Sequence, residues 1–450
     1  MKKHNFNKIV AFLACIAVLT ISILTPNSSA AASITSNKTA AETIIDMGIG
    51  WNLGNTLEAC DTTRTLSNVQ AYETCWGNIV TTQAIIDGVK AAGFNSVRIP
   101  VAWSNLIASD YTINTELLKR VKEVVDYCSN AGMYAIVNIH WDGGWFENFA
   151  TNYDESMKKY STIWTQISNY FKDYPNNLIF ESLNEEGCWN TIWNRYSGTS
   201  GDAKTKAYNT LNNINQKFVN IVRASGGNNA TRCLLIAGYA TDIDLTCDDC
   251  FKMPTDKIAN KLMISIHYYT PATFTILTQD ASWGKSAYTW GTSAEINLVK
   301  TDFQKMKSKF ADKGIPVIVG EYGTVIENKD PASVRLFIST VCKTARDFGF
   351  CPVLWDSSVH YSRTEAKLKD SQLAAFLLQY KSATPTIKVG DVNNDDSIDA
   401  LDFASLKKHL LGAELLTGDA LKAADIDQSG SVDALDFAQL KMLLLKSITV

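Results

Sequence analysis

A chain of 450 residues has room for two or three domains, and 46% hydrophobic with 20% charged residues is ordinary globular usage that can bury a large core. Such a composition excludes a wholly disordered, collagenous or disulfide-knotted protein. A formal net charge of −4 gives no electrostatic footprint for nucleic acid, whereas 11 Trp, 17 Tyr and 18 Phe supply flat rings that stack on sugars as well as pack cores.

At the N-terminus, Lys2, Lys3 and Lys8 precede an uncharged apolar run from Ile9 to Thr25, and Ser28, Ser29, Ala30, Ala31 and Ala32 follow. A basic start, an apolar middle and a small-residue exit form a secretory signal peptide, here residues 1–32. A membrane anchor is the competing reading, because the run approaches the roughly 18–20 residues that span a bilayer. The small-residue exit after Pro26 and the lack of a second such run favour cleavage. The expectation is a secreted, extracellular protein with no membrane attachment once the signal is removed. Of 10 cysteines, Cys15 leaves with the signal, and the odd remainder implies at least one free thiol. Cys247 and Cys250 form a C-x-x-C pair with no second pair at zinc spacing, which reads as a loop disulfide or two free thiols. Cys60 with Cys75 is a further candidate bridge.

Short apolar runs then alternate with longer helical stretches. Strands are expected at Gly48–Leu53, Ser96–Val101, Tyr134–His140, Leu178–Asn184, Cys233–Tyr239, Leu262–Tyr269, Ile315–Glu321 and Pro352–Trp355. Between them lie segments of helical periodicity such as Thr115–Asn130 and Tyr208–Ala224. Eight strands separated by crossover-length helices predict an α/β fold, a (β/α)8 TIM barrel over residues 38–380. A doubly wound open sheet is the alternative, but no Gly-rich phosphate loop follows any strand.

Arg98, His140, Asn184 with Glu185, His267 with Tyr269, Glu321 and Trp355 all stand at or just past the end of an apolar strand. In a barrel those ends converge on one face, where substrate binds. Glu185 and Glu321 end the fourth and seventh strands, so they can face each other across the mouth. Facing carboxylates with separated pKa values are the machinery of glycoside hydrolysis. His140, His267, Tyr269 and Arg98 are groups able to hold one of them ionised. Neither a His-rich ligand set nor a G-x-S-x-G elbow is present, so no catalytic cofactor is expected.

Residues 381–388, with Pro385, read as a linker. An internal repeat follows over 389–447: the loop Asp391–Asp402 is echoed, 34 residues later, by Asp425–Asp436, and each runs into an apolar helix. Oxygen-bearing residues at positions 1, 3, 5, 9 and 12 of a twelve-residue loop match the Ca²⁺ geometry of an EF-hand, with Asp402 and Asp436 where a Glu is usual.

The motifs Gly50-Trp-Asn-Leu-Gly-Asn-Thr56, Arg98-Ile-Pro100, Asn138-Ile-His140-Trp, Leu183-Asn-Glu185, His267-Tyr-Tyr269, Gly320-Glu321-Tyr and Leu354-Trp355-Asp, in this order, resemble glycoside hydrolase family 5, in particular its bacterial endoglucanase branch. The resemblance implies a retaining mechanism with Glu185 as acid/base and Glu321 as nucleophile. It implies that Tyr269 hydrogen-bonds the nucleophile with Arg98 nearby. His140, Asn184 and His267 would contact the reacting sugar or the carboxylates, and Trp355 would stack under that sugar. Asn52 is expected to bind substrate, with construction of the first loop as its other reading. Glu186 stands where many members have Pro, and reads as a loop charge. Trp145, Trp189, Trp193, Trp283 and Trp290 either line further subsites or pack the loops.

The duplicated acidic loops resemble a type I dockerin, the module that binds a cohesin domain of a cellulosome scaffoldin. The resemblance implies two structural Ca²⁺ ions, one held by Asp391, Asn393, Asp395, Asp399 and Asp402, the other by Asp425, Asp427, Ser429, Asp433 and Asp436. It places the cohesin contact at Ala400-Leu401 and Ala434-Leu435, with Lys407 and Lys408 as polar support. Together the two resemblances imply a monomeric, cellulosome-associated endo-β-1,4-glucanase acting on β-glucan. The competing readings are a xyloglucanase, mixed-linkage glucanase, mannanase or xylanase on the same machinery, and a catalytically silent sugar-binding cellulosome component.

Overall fold

The computed structural model describes residues 37–187, 189–198, 200–380, 388–393, 398–416 and 418–445. The expected signal peptide, nearly all of the linker and Asp395 lie outside the described residues. Eight parallel strands close into a barrel in sequential order. They are β1 (Gly50–Asn52), β2 (Ser96–Ile99), β3 (Tyr134–Val137), β4 (Leu178–Glu181), β5 (Leu234–Ala237), β6 (Leu262–Tyr268), β7 (Val317–Tyr322) and β8 (Cys351–Leu354). Helices follow the strands in turn: α1 (Gln83–Ala91), α2 (Thr115–Asn130), α3 (Tyr153–Tyr170), α4 (Asp202–Ala224), α5 (Ile243–Cys247), α6 (Ser293–Lys309), α7 (Pro331–Asp347) and α8 (Ser371–Leu378). All eight expected strands are present but most are shorter than their apolar runs. β3 and β4 stop at Val137 and Glu181, so His140, Asn184 and Glu185 stand on the loops beyond.

Side chains alternate across each strand, and this period sorts the core into two layers. Along β3, Ala135 and Val137 pack outward with the helices, while Tyr134 and Ile136 join Ile179, Met263, Ile318 and Val353 inside the barrel. A short N-terminal helix, Ala40–Met47, adds Ala40, Ile44 and Met47 to this inner cluster. On five of the strands the next inward position is polar: Asn52 after Gly50, Arg98 after Ser96, Asn138 after Ile136, Glu181 after Ile179, Ser265 and His267 after Met263. An apolar floor and a polar mouth therefore follow from one alternation read along parallel strands.

β7 breaks the alternation where it matters. Ile266 pairs with Val319 but His267 pairs with Glu321, so Gly320 is an extra residue in β7. Such a bulge re-aims the side chains after it. Ile318 faces in, and without the bulge Glu321 would face out; with it, Glu321 enters the mouth and Tyr322 takes the outer core. A Cβ on Gly320 would sit 2.7 Å from Ser265 Oγ and 3.2 Å from His267 Nε2, so the position admits no side chain.

The C-terminal repeat forms α9 (Ala400–Leu410), α10 (Gly418–Ala424) and α11 (Ala434–Leu444). α9 and α11 each begin in a capping box, Asp399 with Asp402 and Asp433 with Asp436. Phe403 stacks on Phe437 at 4.1 Å, and Val392, Leu406, Ala424, Ile426 and Leu440 form a small core of their own.

The described cysteines carry free thiols, so neither Cys60–Cys75 nor Cys247–Cys250 is bridged. Cys247 Sγ instead lies 3.5 Å from Met306 Sδ on α6. Among the described residues no helix is long and apolar enough to cross a membrane.

Overpacking at the bulge is the sharpest test of this architecture. Gly320→Ala should lower stability by about 1–3 kcal/mol, seen as an earlier urea midpoint in Trp fluorescence. An unchanged midpoint would mean that the close approach is not real.

Candidate active site

At the centre of the polar mouth lies Arg98, wholly buried. Its guanidinium reaches four partners. Nε donates to Glu181 at 2.6 Å and one terminal nitrogen donates to Glu321 at 2.7 Å and Asn52 at 3.0 Å. The other terminal nitrogen donates to Asn184 at 3.0 Å. Burial works against the charge, but the two carboxylates more than offset it and Arg98 is held protonated. Asn52 was expected to touch substrate; the structure corrects this. It is fully buried, donating to the carbonyls of Gly320 and Val353, so it ties β1 to the bulge in β7.

Glu321 is nearly buried and accepts from Arg98 on one oxygen and from the Tyr269 hydroxyl, at 3.0 Å, on the other. Glu185 stands opposite with 49% of its side chain exposed to the cleft, and accepts from His267 Nδ1 at 2.7 Å. Ligand atoms of Glu185, His267 and Glu321 all lie within 4.8 Å of one another. Removal from bulk water pushes both carboxyls up. Two donors favour the anion of Glu321, one of them a cation in direct contact, and Glu185 lacks both. These contacts favour the charged form of Glu321 over that of Glu185. Burial and the neighbouring Glu321 raise Tyr269 well above the ordinary phenol range, so it remains a donor.

His267 is pushed down to about 4, chiefly by burial, and is neutral at neutral pH. Its Nδ1 is hydrogen-bonded to Glu185, while Nε2, which has no hydrogen-bond partner among the described residues, faces the Cβ-less Gly320. His140 is likewise lowered, by burial and then by Arg98 and His267. It lies parallel to Trp355, ring centroids 5.8 Å apart and planes within 7°. Trp355 in turn packs over Gly54, where a Cβ would come within 2.9 Å of the indole.

Glu181 was missed in the sequence. It is wholly buried and accepts from Arg98, from Asn138 Nδ2 at 3.0 Å and from Ser265 Oγ at 2.9 Å. The available signal was a charged residue inside an apolar strand, two positions after the inward Ile179. Glu186 is half-buried on the loop after β4, and burial, helped by Glu147, Glu185 and Asp142, pushes its carboxyl up to about 8. Trp145, Trp189, Trp193 and Trp290 are buried and pack the loops, whereas Trp283 is exposed.

In the C-terminal repeat, carboxylate oxygens of Asp425, Asp427 and Asp436 converge within 4.8 Å of one another. Asp433 stays out of that cluster and caps α11, accepting from Leu435 N at 2.7 Å; Asp399 does the same for α9. Asp402 and Asp436 are buried and accept backbone N–H groups of both their loop and their helix. Ala400, Leu401, Ala434, Leu435, Lys407 and Lys408 are all exposed, and Lys408 pairs with Glu414 at 3.0 Å.

With this geometry in hand, comparison with known proteins is decisive. Residues 59–360 match the family Cellulase (glycosyl hydrolase family 5). The chain belongs to glycosyl hydrolase family 5. Residues 389–445 match the Dockerin type I domain, so this family 5 protein also carries a dockerin. It is 35% identical to Endoglucanase A of Paenibacillus barcinonensis over 380 residues, covering 77% of this chain and 90% of that protein. A GH5-4 broad specificity endoglucanase from an uncultured bovine rumen ciliate superposes with a TM-score of 0.69 at 39% identity, over 76% of this chain and 98% of that one. The Glycoside Hydrolase 5 Lichenase from Caldicellulosiruptor sp. F32 in complex with cellotetraose gives 0.70 at 33% identity, over 77% and 96%.

The state of His267 has a measurable consequence. Its pKa falls from 6.5 to about 4 on folding, so the unfolded chain binds the extra proton between those values. This contribution to stability is complete above pH 6.5 and is lost as pH falls towards 4. An NMR titration should find the His267 ring neutral down to about pH 5, and a midpoint near 6.5 would refute the assignment.

Proposed function

We propose that this family 5 enzyme is a secreted endo-β-1,4-glucanase that cleaves internal bonds of β-glucans with retention of configuration, tethered to a scaffoldin through its dockerin. The observation that carries the mechanism is the pair Glu185–Glu321, with one oxygen of each within 4.8 Å. Inverting enzymes keep their carboxyls roughly 6.5–9.5 Å apart to admit a water, whereas retaining ones need about 5–5.5 Å.

Glu185 is the acid/base. His267 Nδ1–H holds one of its oxygens, which leaves the protonated oxygen to face the cleft. Glu321, kept anionic by Arg98 and steadied by Tyr269, is the nucleophile. In the first step Glu185 gives its proton to the glycosidic oxygen, the C1–O bond breaks, and a Glu321 oxygen bonds C1. In the second, Glu185 takes a proton from water as that water attacks C1 and releases Glu321. Trp355, backed by His140, is the platform for the reacting sugar, and Asn184, fixed by Arg98, presents its amide to it.

The substrate range follows the relatives, whose names include endoglucanase, broad specificity endoglucanase and lichenase. Carboxymethylcellulose and mixed-linkage β-glucan should release reducing sugar, with little from xylan or mannan, and Glu321→Gln should stop release from all of them while leaving polysaccharide binding intact. Dominant xylan or mannan activity would move the substrate class, and an active Glu321→Gln enzyme would overturn the nucleophile.

The catalytic unit spans 38–380, and the docking unit 389–447. Asp425, Asp427 and Asp436 offer a converged, acidic oxygen set that fits Ca²⁺, with Ser429 as a further oxygen; Asp391, Asn393, Asp395 and Asp402 are the counterpart. Asp399 and Asp433, turned to helix caps, have one oxygen each left for it. Leu401 and Leu435, 60% and 54% exposed, present matching apolar faces to a cohesin, flanked by Lys407 and Lys408. Removing Ca²⁺ with EDTA should abolish amide-exchange protection in α9 and α11 and leave that of the barrel strands unchanged. Retained protection in both helices would count against calcium.

A further inference from the structure

Arg98 is one buried cation between two carboxylates. Glu181 and Glu321 take its Nε and a terminal nitrogen at 2.6 and 2.7 Å, and neither Arg98 nor Glu181 has any exposed surface. In such surroundings charges act on one another with little screening. An Arg98 alone with Glu321 would stabilise the anion strongly, and a carboxylate so stabilised is a poor nucleophile. Glu181 prevents this. It is itself kept in place by Asn138 Nδ2 and Ser265 Oγ, donors from β6 and from the loop after β3, so its charge is fixed without any contact with the cleft.

We infer that Glu181 is a positioning residue that fixes the Arg98 fork and divides its charge, so that Glu321 is ionised yet still reactive. The inference rests on Glu321 being the nucleophile. The groups facing Glu321 are Arg98 on β2, His267 and Tyr269 from β6, and Glu185 from the loop after β4, with His140 beyond Arg98. Of these, His267 and His140 are held neutral, Tyr269 is a phenol, and Glu185, its carboxyl pushed up by burial, is the proposed acid. Glu181 is thus the charge whose removal changes the balance at Glu321 without touching the reacting pair.

Glu181→Gln isolates that charge. The amide oxygen can accept from Arg98 and Asn138 as before, and the amide nitrogen can donate to Ser265 Oγ, so the shape and the hydrogen bonds are kept. With the negative charge gone, the whole cation bears on Glu321 and its anion becomes more stable. The acidic limb of the kcat/KM profile should then move to lower pH by on the order of one unit. Ser265→Ala is the second variant. It leaves Glu181 charged, strips one donor and turns more of the anion onto Arg98, so the acidic limb should move the other way, to higher pH.

Both profiles are measured on an aryl β-cellobioside with the full-length enzyme. Opposite shifts support the inference. An acidic limb that stays in place in Glu181→Gln while the melting temperature falls makes Glu181 a structural counter-ion only and overturns it. Where Glu181→Gln does not fold, an unmoved or downward-moving limb in Ser265→Ala overturns it alone. Failure of the underlying reading looks different, because it leaves Glu321→Gln active.

Discussion

The buried guanidinium of Arg98 organises this enzyme. A charge with no exposed surface is tolerable only if it is paired and hydrogen-bonded, and here the acceptors come from four parts of the barrel: Asn52 on β1, Glu181 on β4, Asn184 beyond β4 and Glu321 on β7. Satisfying one cation therefore fixes the mutual positions of strands that are distant in sequence. The same contacts place Glu321, so the demand to neutralise a buried charge and the demand to aim the proposed nucleophile are met by one set of bonds. Asn52 extends the arrangement downward, since it also holds the carbonyl of Gly320 at the bulge.

Much of this was legible in the chain. The strands are apolar runs ended by polar residues, and their order alone gives a barrel with Glu185 and Glu321 at one mouth. α2 was expected at Thr115–Asn130 and is found there, because Asn114 caps its start and the apolar positions repeat at helical spacing. What was not legible depends on register. Glu321 reaches the interior only through the extra residue at Gly320, and a glycine before a glutamate does not announce a bulge. Glu181 was hidden for the opposite reason: it lies inside an apolar run that reads as core, and its partners Asn138, Arg98 and Ser265 are 43 to 84 residues away. The loop tryptophans were ambiguous in kind, since a ring that can stack on sugar can equally fill a loop core, and four of them do the latter.

The dockerin obeys a different economy. Its helices are short and, among the described residues, its core centres on five buried side chains and a Phe403–Phe437 stack, little apolar surface for a unit to be secure unaided. Acidic side chains compensate by serving two purposes. Asp436 holds the backbone of Ile426 and Asp427 on one oxygen and that of Asp433 on the other, joining the loop to the start of α11. Its membership of the converged acidic set means that whatever neutralises that set also tightens the helix cap.

Glu185 and Glu321 are unequally exposed, and in the proposed mechanism this divides their dealings with water. As the proposed nucleophile, Glu321, 7% exposed, would begin and end each cycle as the same anion and exchange nothing with the medium. As the proposed acid/base, Glu185, with half its side chain open, would be the member that hands a proton away and takes one back from an incoming water. On that reading the open side of Glu185 is the supply route for the reaction's second reactant, and any polysaccharide chain that packs the cleft must leave that side uncovered long enough for one water molecule to pass.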